Sequence, residues 1–294
     1  MTRIAGVVVL YNPPSDFFEN IESYSNQIEI LFAIDNSECL NPAIEKKLAT
    51  LSNVVYRWNG RNLGVAKALN TGARMASERG FRFLLMMDQD SVAPLNLVET
   101  YRAFLSTTTL PNVGMLTPFH SYNNYARTSR SEAAKEVEYA ITSGTLLNLD
   151  TYTQCGPFLD ELFIDYVDVE YSMRTRAKGF KILQLGNVVL QHQLGALEGR
   201  NILWKRVAVY NHPPERVYYK FRNRLFVARA YRGIHPLWSI MEVAILTNEL
   251  IKIFLFERRK LTKLKMAILG TRDYFSRRFG KFVDPSAEGR SRAH

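Results

Sequence analysis

The residues best suited to chemistry are Asp88 and Asp90, in the run Phe81-Arg82-Phe83-Leu84-Leu85-Met86-Met87-Asp88-Gln89-Asp90-Ser91. The apolar stretch reads as a buried strand that stops at two carboxylates. Side chains alternate along a strand, so Asp88 and Asp90 point one way and Gln89 the other. Two like charges side by side repel unless water covers them or a cation sits between them. Carboxylate oxygens are hard ligands that suit Mg²⁺ or Mn²⁺, ions that keep part of their shell for substrate phosphates. In open α/β sheets, ligands gather at the carboxyl ends of strands. The pair therefore reads either as a metal–diphosphate site or as a solvated corner in which an aspartate caps the next turn.

A second acidic cluster is Asp160-Glu161-Leu162-Phe163-Ile164-Asp165-Tyr166-Val167-Asp168-Val169-Glu170. With a helix starting near Asp165, Asp165 and Asp168 lie three apart on one face. Both suit a helix start, as cap and first-turn acid. Asp168 also suits a general base, because the helix dipole favours its ionised form. His192, in Gln191-His192-Gln193-Leu194-Gly195, ends a predicted strand. It is either a structural histidine or a metal ligand, and Gly195 would let a backbone approach it. His120, His212, His235 and His294 have no comparable setting.

Other polar positions fall on the expected ligand-facing edge. Asp35 ends a second strand. Asn62-Leu63-Gly64 precedes a helix carrying Lys67 and Asn70, whose first N–H groups could face an anion. Thr142-Ser143-Gly144-Thr145 lies in a predicted strand, where Gly144 suits either close approach to a ligand or a bulge. Tyr218-Tyr219-Lys220-Phe221-Arg222-Asn223-Arg224 mixes cations with aromatics; Arg222 reads as a phosphate clamp or as part of a helix interface.

These positions need a scaffold, and the chain of 294 residues has room for one large or two small domains. Strands are predicted over 4–11, 27–35, 54–58 and 81–87. Helices alternate with them over 16–26 with Ser15 as cap, 42–51 with Asn41 before Pro42, and 64–79 ended by Gly80. This order predicts a parallel sheet with helices on both faces. Beyond it the pattern is mixed. Helices are expected over 95–106 and 165–179, and strands over 113–118, 139–149, 181–185 and 188–192. Long helical patterns cover 217–231 and 237–259. The division expected is 1–200, with halves 1–91 and 92–200, followed by a basic helical region over 201–294.

A composition of 47% hydrophobic and 22% charged residues is that of a globular protein. Cys39 and Cys155 have no metal-ligand spacing and do not suggest a disulfide framework, so a reducing, cytoplasmic compartment is expected. The first residues read as a strand and turn rather than a signal peptide. The net charge of +10 is uneven: residues 200–294 hold 21 Lys+Arg against 7 Asp+Glu, and residues 1–199 hold 17 against 21. Such asymmetry points to an anionic partner or to a solvated basic face. Residues 237–256 are apolar but carry Glu242, Asn248, Glu249 and Lys252, which argues against a spanning helix. An amphipathic helix before Arg258-Arg259-Lys260 fits an anionic membrane surface, or packing on the domain or a second subunit.

Taken in order, these pieces resemble the inverting family-two glycosyltransferases of GT-A fold, and among them the bacterial rhamnosyltransferases of O-antigen and capsule assembly. The matching pieces are Val7-Val8-Val9-Leu10-Tyr11-Asn12-Pro13, Ile34-Asp35-Asn36-Ser37, the Asn62–Asn70 stretch, Asp88-Gln89-Asp90-Ser91, Ser143-Gly144-Thr145, the Phe163–Glu170 stretch and His192-Gln193-Leu194-Gly195. The resemblance implies a Rossmann-like, mainly parallel mixed sheet flanked by helices, with a C-terminal helical extension. It implies Asp35 on the nucleobase, helped by the loop around Asn12. Beside these, Asn62, Gly64, Lys67, Asp88, Gly144 and Arg222 stand as candidate donor-binding residues. Asp88 and Asp90 become the family's metal motif, Asp90 the direct ligand, and His192 completes the shell. Asp168 is the base. The residue before it is Val167 where many relatives have Glu, so Asp165 or Glu170 is left as the candidate helper.

The implied activity is metal-dependent transfer of a sugar, L-rhamnose from dTDP-β-L-rhamnose, to a hydroxyl of a lipid-linked saccharide at the inner membrane face. Three alternatives stand beside it: a family-two enzyme using another UDP- or GDP-sugar, a haloacid-dehalogenase-type phosphatase, and a basic nucleic-acid-binding protein. The phosphatase motif normally follows the first strand, whereas three strand–helix units precede Asp88 here. No recognised nucleic-acid motif accompanies the basic tail, so no nucleic-acid partner is expected.

Overall fold

Strands β1 (Ile4–Leu10), β2 (Ile30–Asp35), β3 (Val54–Trp58) and β4 (Phe83–Asp88) alternate with helices α1 (Phe17–Ser25), α2 (Pro42–Leu48) and α3 (Val65–Glu78). This is a computed structural model, and it describes residues 2–107, 112–122, 133–192, 197–202, 205–210 and 213–284. The four strands pair in parallel, in the order β3-β2-β1-β4. β1 and β4 are buried almost throughout, as strands covered on both faces must be. α2 starts as its sequence suggests: the Asn41 side chain accepts from Ala43 N, and Pro42 takes the first position. At α1 the cap position belongs to Asp16, not Ser15, and makes no side-chain cap bond.

The middle adds α4 (Leu97–Thr107), β5 (Val113–Tyr122), β6 (Lys135–Glu136), β7 (Thr145–Asn148), α5 (Leu149–Cys155), a 3-10 turn (Asp160–Leu162), α6 (Val167–Ala177) and β8 (Lys181–His192). The sheet continues β4-β7-β5-β8-β6. β7 runs antiparallel to both β4 and β5, while β5 and β8 are parallel. Two expectations are corrected here. The strand expected over 139–149 shortens to Thr145–Asn148: the turn bond from Thr145 N to Thr142 O and Gly144 at φ +77° delay its start, and the Asn148 side chain, accepting from Asp150 N, starts α5 at its end. The two strands expected over 181–192 are one: the register against β5 shifts between Leu185 and Val189, so Gly186-Asn187 lies in a bulge rather than a turn.

An antiparallel ribbon, β9 (Leu197–Ile202) with β10 (Lys205–Tyr210), precedes α7 (Pro214–Tyr231), α8 (Pro236–Phe256) and α9 (Lys260–Phe275). The ribbon has no counterpart among the expected elements, whereas α9 falls within the basic helical region expected over 201–294. Arg259, with φ +54°, breaks the apolar pattern into α8 and α9. Among the described residues no helix is long and apolar enough to cross a membrane.

By contacts the chain divides into unit 1, Met1–Leu159 with Val167–Leu194, and unit 2, Asp160–Tyr166 with Gly195–His294. The segment 160–166 therefore groups with the C-terminal helices rather than with the sheet. Unit 1 packs α1 and α4 side chains such as Phe18, Tyr24, Leu97 and Tyr101 against strand residues Leu10, Leu85 and Met87. Unit 2 has its own core, in which Phe163 joins Val217, Tyr218, Tyr219, Leu246, Ile253 and Met266. Burying each such side chain stabilises by about 1.5–3 kcal/mol. α9 rests directly on α7 at Gly270, where an added Cβ would lie 2.3 Å from Tyr218 O.

Candidate active site

Asp88 ends β4 partly exposed, and Asp90 is exposed in the turn that follows. Gln89, between them, holds the turn to the end of β1. Its Oε1 accepts from Tyr11 N at 2.8 Å and its Nε2 donates to Tyr11 O at 3.3 Å, extending the strand pairing by one side-chain rung. Asn20 of α1 donates to Gln89 O. The Tyr24 hydroxyl, also on α1, is wholly buried and without a hydrogen-bond partner among the described residues. Burial, then the charges of Asp88 and Asp90, hold it protonated well above the usual tyrosine range. Sequence reading missed both Gln89 and Tyr24; the alternation that turns Gln89 away from the aspartates was the available signal.

The ends of β1, β2 and β3 form a second polar web. Asp35 has no exposed surface, and its carboxylate accepts from Ser37 N at 2.8 Å and from the Tyr56 hydroxyl at 2.7 Å. A buried carboxylate requires such partners. Burial, then the bond to Asp35, raises the Tyr56 pKa. Asn12, at φ +42°, donates its N–H to Ser37 Oγ. Asn36 reaches Gly64 O, and Asn62 Oδ1 accepts from Gly64 N at 2.9 Å, closing the turn before α3. Lys67 is exposed in the first turn of α3. Asn70 is different: it binds the Phe158 backbone and the Tyr152 hydroxyl, a structural role.

The Ser143-Gly144 motif lies beside β4. Gly144 N donates to Met86 O at 2.9 Å, and Ser143 Oγ donates to Ser91 Oγ at 2.6 Å. His120 Nε2, 2.8 Å from Ser143 O, must carry the proton there, since a carbonyl only accepts. Gly144 sits at φ +77°, and an added Cβ would meet Leu190 and Pro118 at 2.8 and 2.9 Å. Internal packing is therefore enough to require glycine. Val92 bridges Gln191, which brings the end of β8 to the Asp88–Asp90 turn. His192 is the next residue; its side chain, and Gln193–Gly195, lie outside the described residues.

Asp168 stands in the first turn of α6, partly exposed, with its carboxylate accepting from Val169 N at 2.9 Å. Ser172, one turn on and on the same face, accepts from Ala140 N and so fastens α6 to the chain leading into Ser143-Gly144. The residues before Asp168 are strained: Phe163, Asp165 and Tyr166 have φ of +64°, +61° and +67°. For residues other than glycine such conformations cost about 1–3 kcal/mol each and persist only where the surroundings enforce them.

Residues 7–163, more than half of the chain, match the family described as Glycosyl transferase family 2. The chain belongs to that family. It is 25% identical over 290 residues to the dTDP-rhamnosyl transferase RfbF of Shigella flexneri, covering 92% of this chain and 95% of that one. Its fold matches S. aureus TarS 1-349 with a TM-score of 0.59 at 12% identity, over 93% of this chain and 81% of that one. It also matches GalNAc-T7, solved with UDP, GalNAc and Mn²⁺, with a TM-score of 0.54 at 14% identity, over 66% of this chain and 44% of that one. The mixed, mainly parallel sheet is the GT-A fold, and the protein is a glycosyltransferase. The phosphatase and nucleic-acid readings fall with that membership.

Within a family-two transferase, Asp88 and Asp90 are the donor set suited to a hard divalent ion. No cluster of three or more His, Cys, Asp or Glu able to hold a metal occurs among the described residues. The candidate helpers are occupied. Glu170 is buried and forms a two-pronged ion pair with Arg174, and Asp165 pairs with Arg216. Arg222 is corrected: it has no exposed surface, so its guanidinium cannot reach a phosphate, and the helix-interface reading fits instead. A cavity of about 590 Å³ lined by Thr2, Gln27, Val98, Arg102 and Ser106 contains none of the predicted site residues.

Proposed function

We propose that this family-two transferase moves L-rhamnose from dTDP-β-L-rhamnose to a hydroxyl of a saccharide acceptor, with inversion. The observation that carries the donor assignment is the likeness to a dTDP-rhamnosyl transferase along nearly the whole of both chains. Asp88 and Asp90 would hold Mg²⁺ or Mn²⁺, the role that the sequence also offers for His192. When bound, the ion supplies positive charge against the departing diphosphate. The web of Asn12, Asp35 and Asn62-Gly64 shapes the nucleotide end, and Lys67 adds a cation on the same side.

Asp168 acts as general base. Its carboxylate takes the acceptor hydroxyl proton while the acceptor oxygen forms a bond to the anomeric carbon. The bond from that carbon to the diphosphate oxygen breaks, and its electron pair leaves with the diphosphate. Attack opposite the leaving group turns a β-L donor into an α-L product. Calorimetry with dTDP-rhamnose, UDP- and GDP-sugars, with and without Mn²⁺, tests the donor. Binding of dTDP-rhamnose that strengthens with metal is expected; preference for a UDP- or GDP-sugar rejects the assignment.

The acceptor is lipid-linked in this reading, and α8 supplies the membrane contact. Glu242 and Glu249 pair with Arg224 and Lys220 of α7. The outer side of α8 is left with exposed Leu237, Ile240, Met241, Ile251 and Phe254, followed by exposed Arg258, Arg259 and Lys260. An apolar face followed by cations suits an anionic interface. Sedimentation with anionic liposomes should recover the protein and neutral ones should not; equal, weak recovery with both rejects the idea.

A further inference from the structure

The cations and amide of the mixed cation–aromatic stretch of α7 are densely bonded within the chain. Asn223 has no exposed surface, and its Nδ2 donates to Leu162 O, Ile164 O and Asp165 O at 2.8, 2.8 and 2.9 Å. An amide has two N–H groups, so one is shared between carbonyls. Arg222 Nε donates to Asn223 Oδ1 at 2.9 Å, which fixes the amide with its NH₂ towards the segment. Arg222 Nη2 adds bonds to Glu161 O and Leu162 O. Arg216 pairs with Asp165, Arg224 donates to the Tyr166 hydroxyl, and Phe163 stacks on Tyr219 at 5.2 Å. Every residue of the strained stretch is thus held from α7.

A buried guanidinium met by carbonyls and aromatic rings is a costly way to gain stability, and apolar residues of similar volume often serve as well. What it achieves is a conformation. Segment 160–166 leaves unit 1 after Leu159 and rejoins it at Val167, one residue before Asp168. We infer that Asn223 and Arg222, with Arg216, are positioning residues for the transfer. They hold 160–166, with Phe163, Asp165 and Tyr166 in left-handed conformations, and so set how the chain begins α6 and how Asp168 is presented. The inference rests on the reading of Asp168 as base.

The test uses the full chain and the variants Asn223→Ala, Arg216→Ala, Arg216→Lys and Asp168→Asn. Amide hydrogen exchange is followed over 160–170, dTDP affinity by calorimetry, and dTDP release from dTDP-rhamnose by turnover. Asn223→Ala should speed exchange across 160–170, including the first turn of α6. It should lower kcat by about 100-fold, the scale of a small misplacement of a catalytic group, with dTDP affinity and binding stoichiometry unchanged. Arg216, partly exposed, tolerates replacement if Asn223→Ala does not fold; Arg216→Ala should lose less activity and Arg216→Lys should recover part of it. Combined with Asp168→Asn, Asn223→Ala should cost no further rate. Unchanged exchange at 160–170 overturns the inference whatever the donor. So does a fall in kcat matched by a fall in dTDP stoichiometry, or a double variant much slower than Asp168→Asn alone. Near-normal turnover in Asp168→Asn removes the base assignment instead, and exchange then reports whether α7 orders the start of α6.

Discussion

Asp90 and Arg222 are both charged and both lie in motifs that mix polar and apolar residues, yet Asp90 is exposed at a strand end and Arg222 has no exposed surface. Around Asp90, neutral groups do the fastening: Gln89 to Tyr11, Ser91 to Ser143, Gly144 to Met86. Around Arg222 the charged and amide groups are themselves the fasteners, spent on the carbonyls of 161, 162 and 280 and on Asn223. The difference teaches how to weigh a polar motif. A charge left at the surface beside neutral fasteners, as at Asp90, is not consumed by buried backbone, and one whose donors satisfy buried backbone, as at Arg222, is architecture.

The sharpest break of that comparison is Asp168→Asn. It should lower kcat by about 10²–10⁴-fold, with dTDP binding and thermal unfolding unchanged; a matching loss of stability would make unit 1 behave like unit 2. Asp90→Ala comes next. It should weaken metal-dependent donor binding by about 10–100-fold, some 1.4–2.7 kcal/mol, measured calorimetrically with and without Mn²⁺. Binding that is equally weak without metal in both proteins would remove the metal role. In unit 2, Gly270→Ala should do the reverse. The Cβ would press on Tyr218 O, 2.3 Å away, so urea denaturation should show a loss of about 1–3 kcal/mol, with the dTDP affinity of the folded protein intact. The smallest effect is expected at Tyr56→Phe, which strips one donor from the buried Asp35 carboxylate. It should cost about 1 kcal/mol of stability and a few-fold in dTDP affinity, so it touches both properties at the boundary between them.

Much of unit 1 was legible before any coordinates, because its signals are local. Apolar runs of strand length, a Pro-first helix with an Asn cap, and carboxylates where strands stop each follow from neighbouring residues. The failures have a common cause. Thr145–Asn148 starts late because a turn at 142–145 with Gly144 in a left-handed conformation precedes it, and β8 stays whole because β5 continues to pair across its bulge. In sequence Arg222 stays open between a phosphate clamp and a helix interface, because Arg among Tyr and Phe has the same composition in both.

By itself the sequence determined the alternation of strands and helices, the Asp88–Asp90 turn at a strand end, the start of a helix near Asp168 and the basic last third. These depend on periodicity, capping and charge, which are properties of short stretches. Only the tertiary structure decided that Gln89 ties that turn to β1, that Ser143-Gly144 lies against β4, and that segment 160–166 belongs with α7. Those outcomes depend on which distant groups meet and on which buried donors find acceptors. The bond from Asn223 to Ile164 spans 59 residues, and no pattern along the chain encodes it.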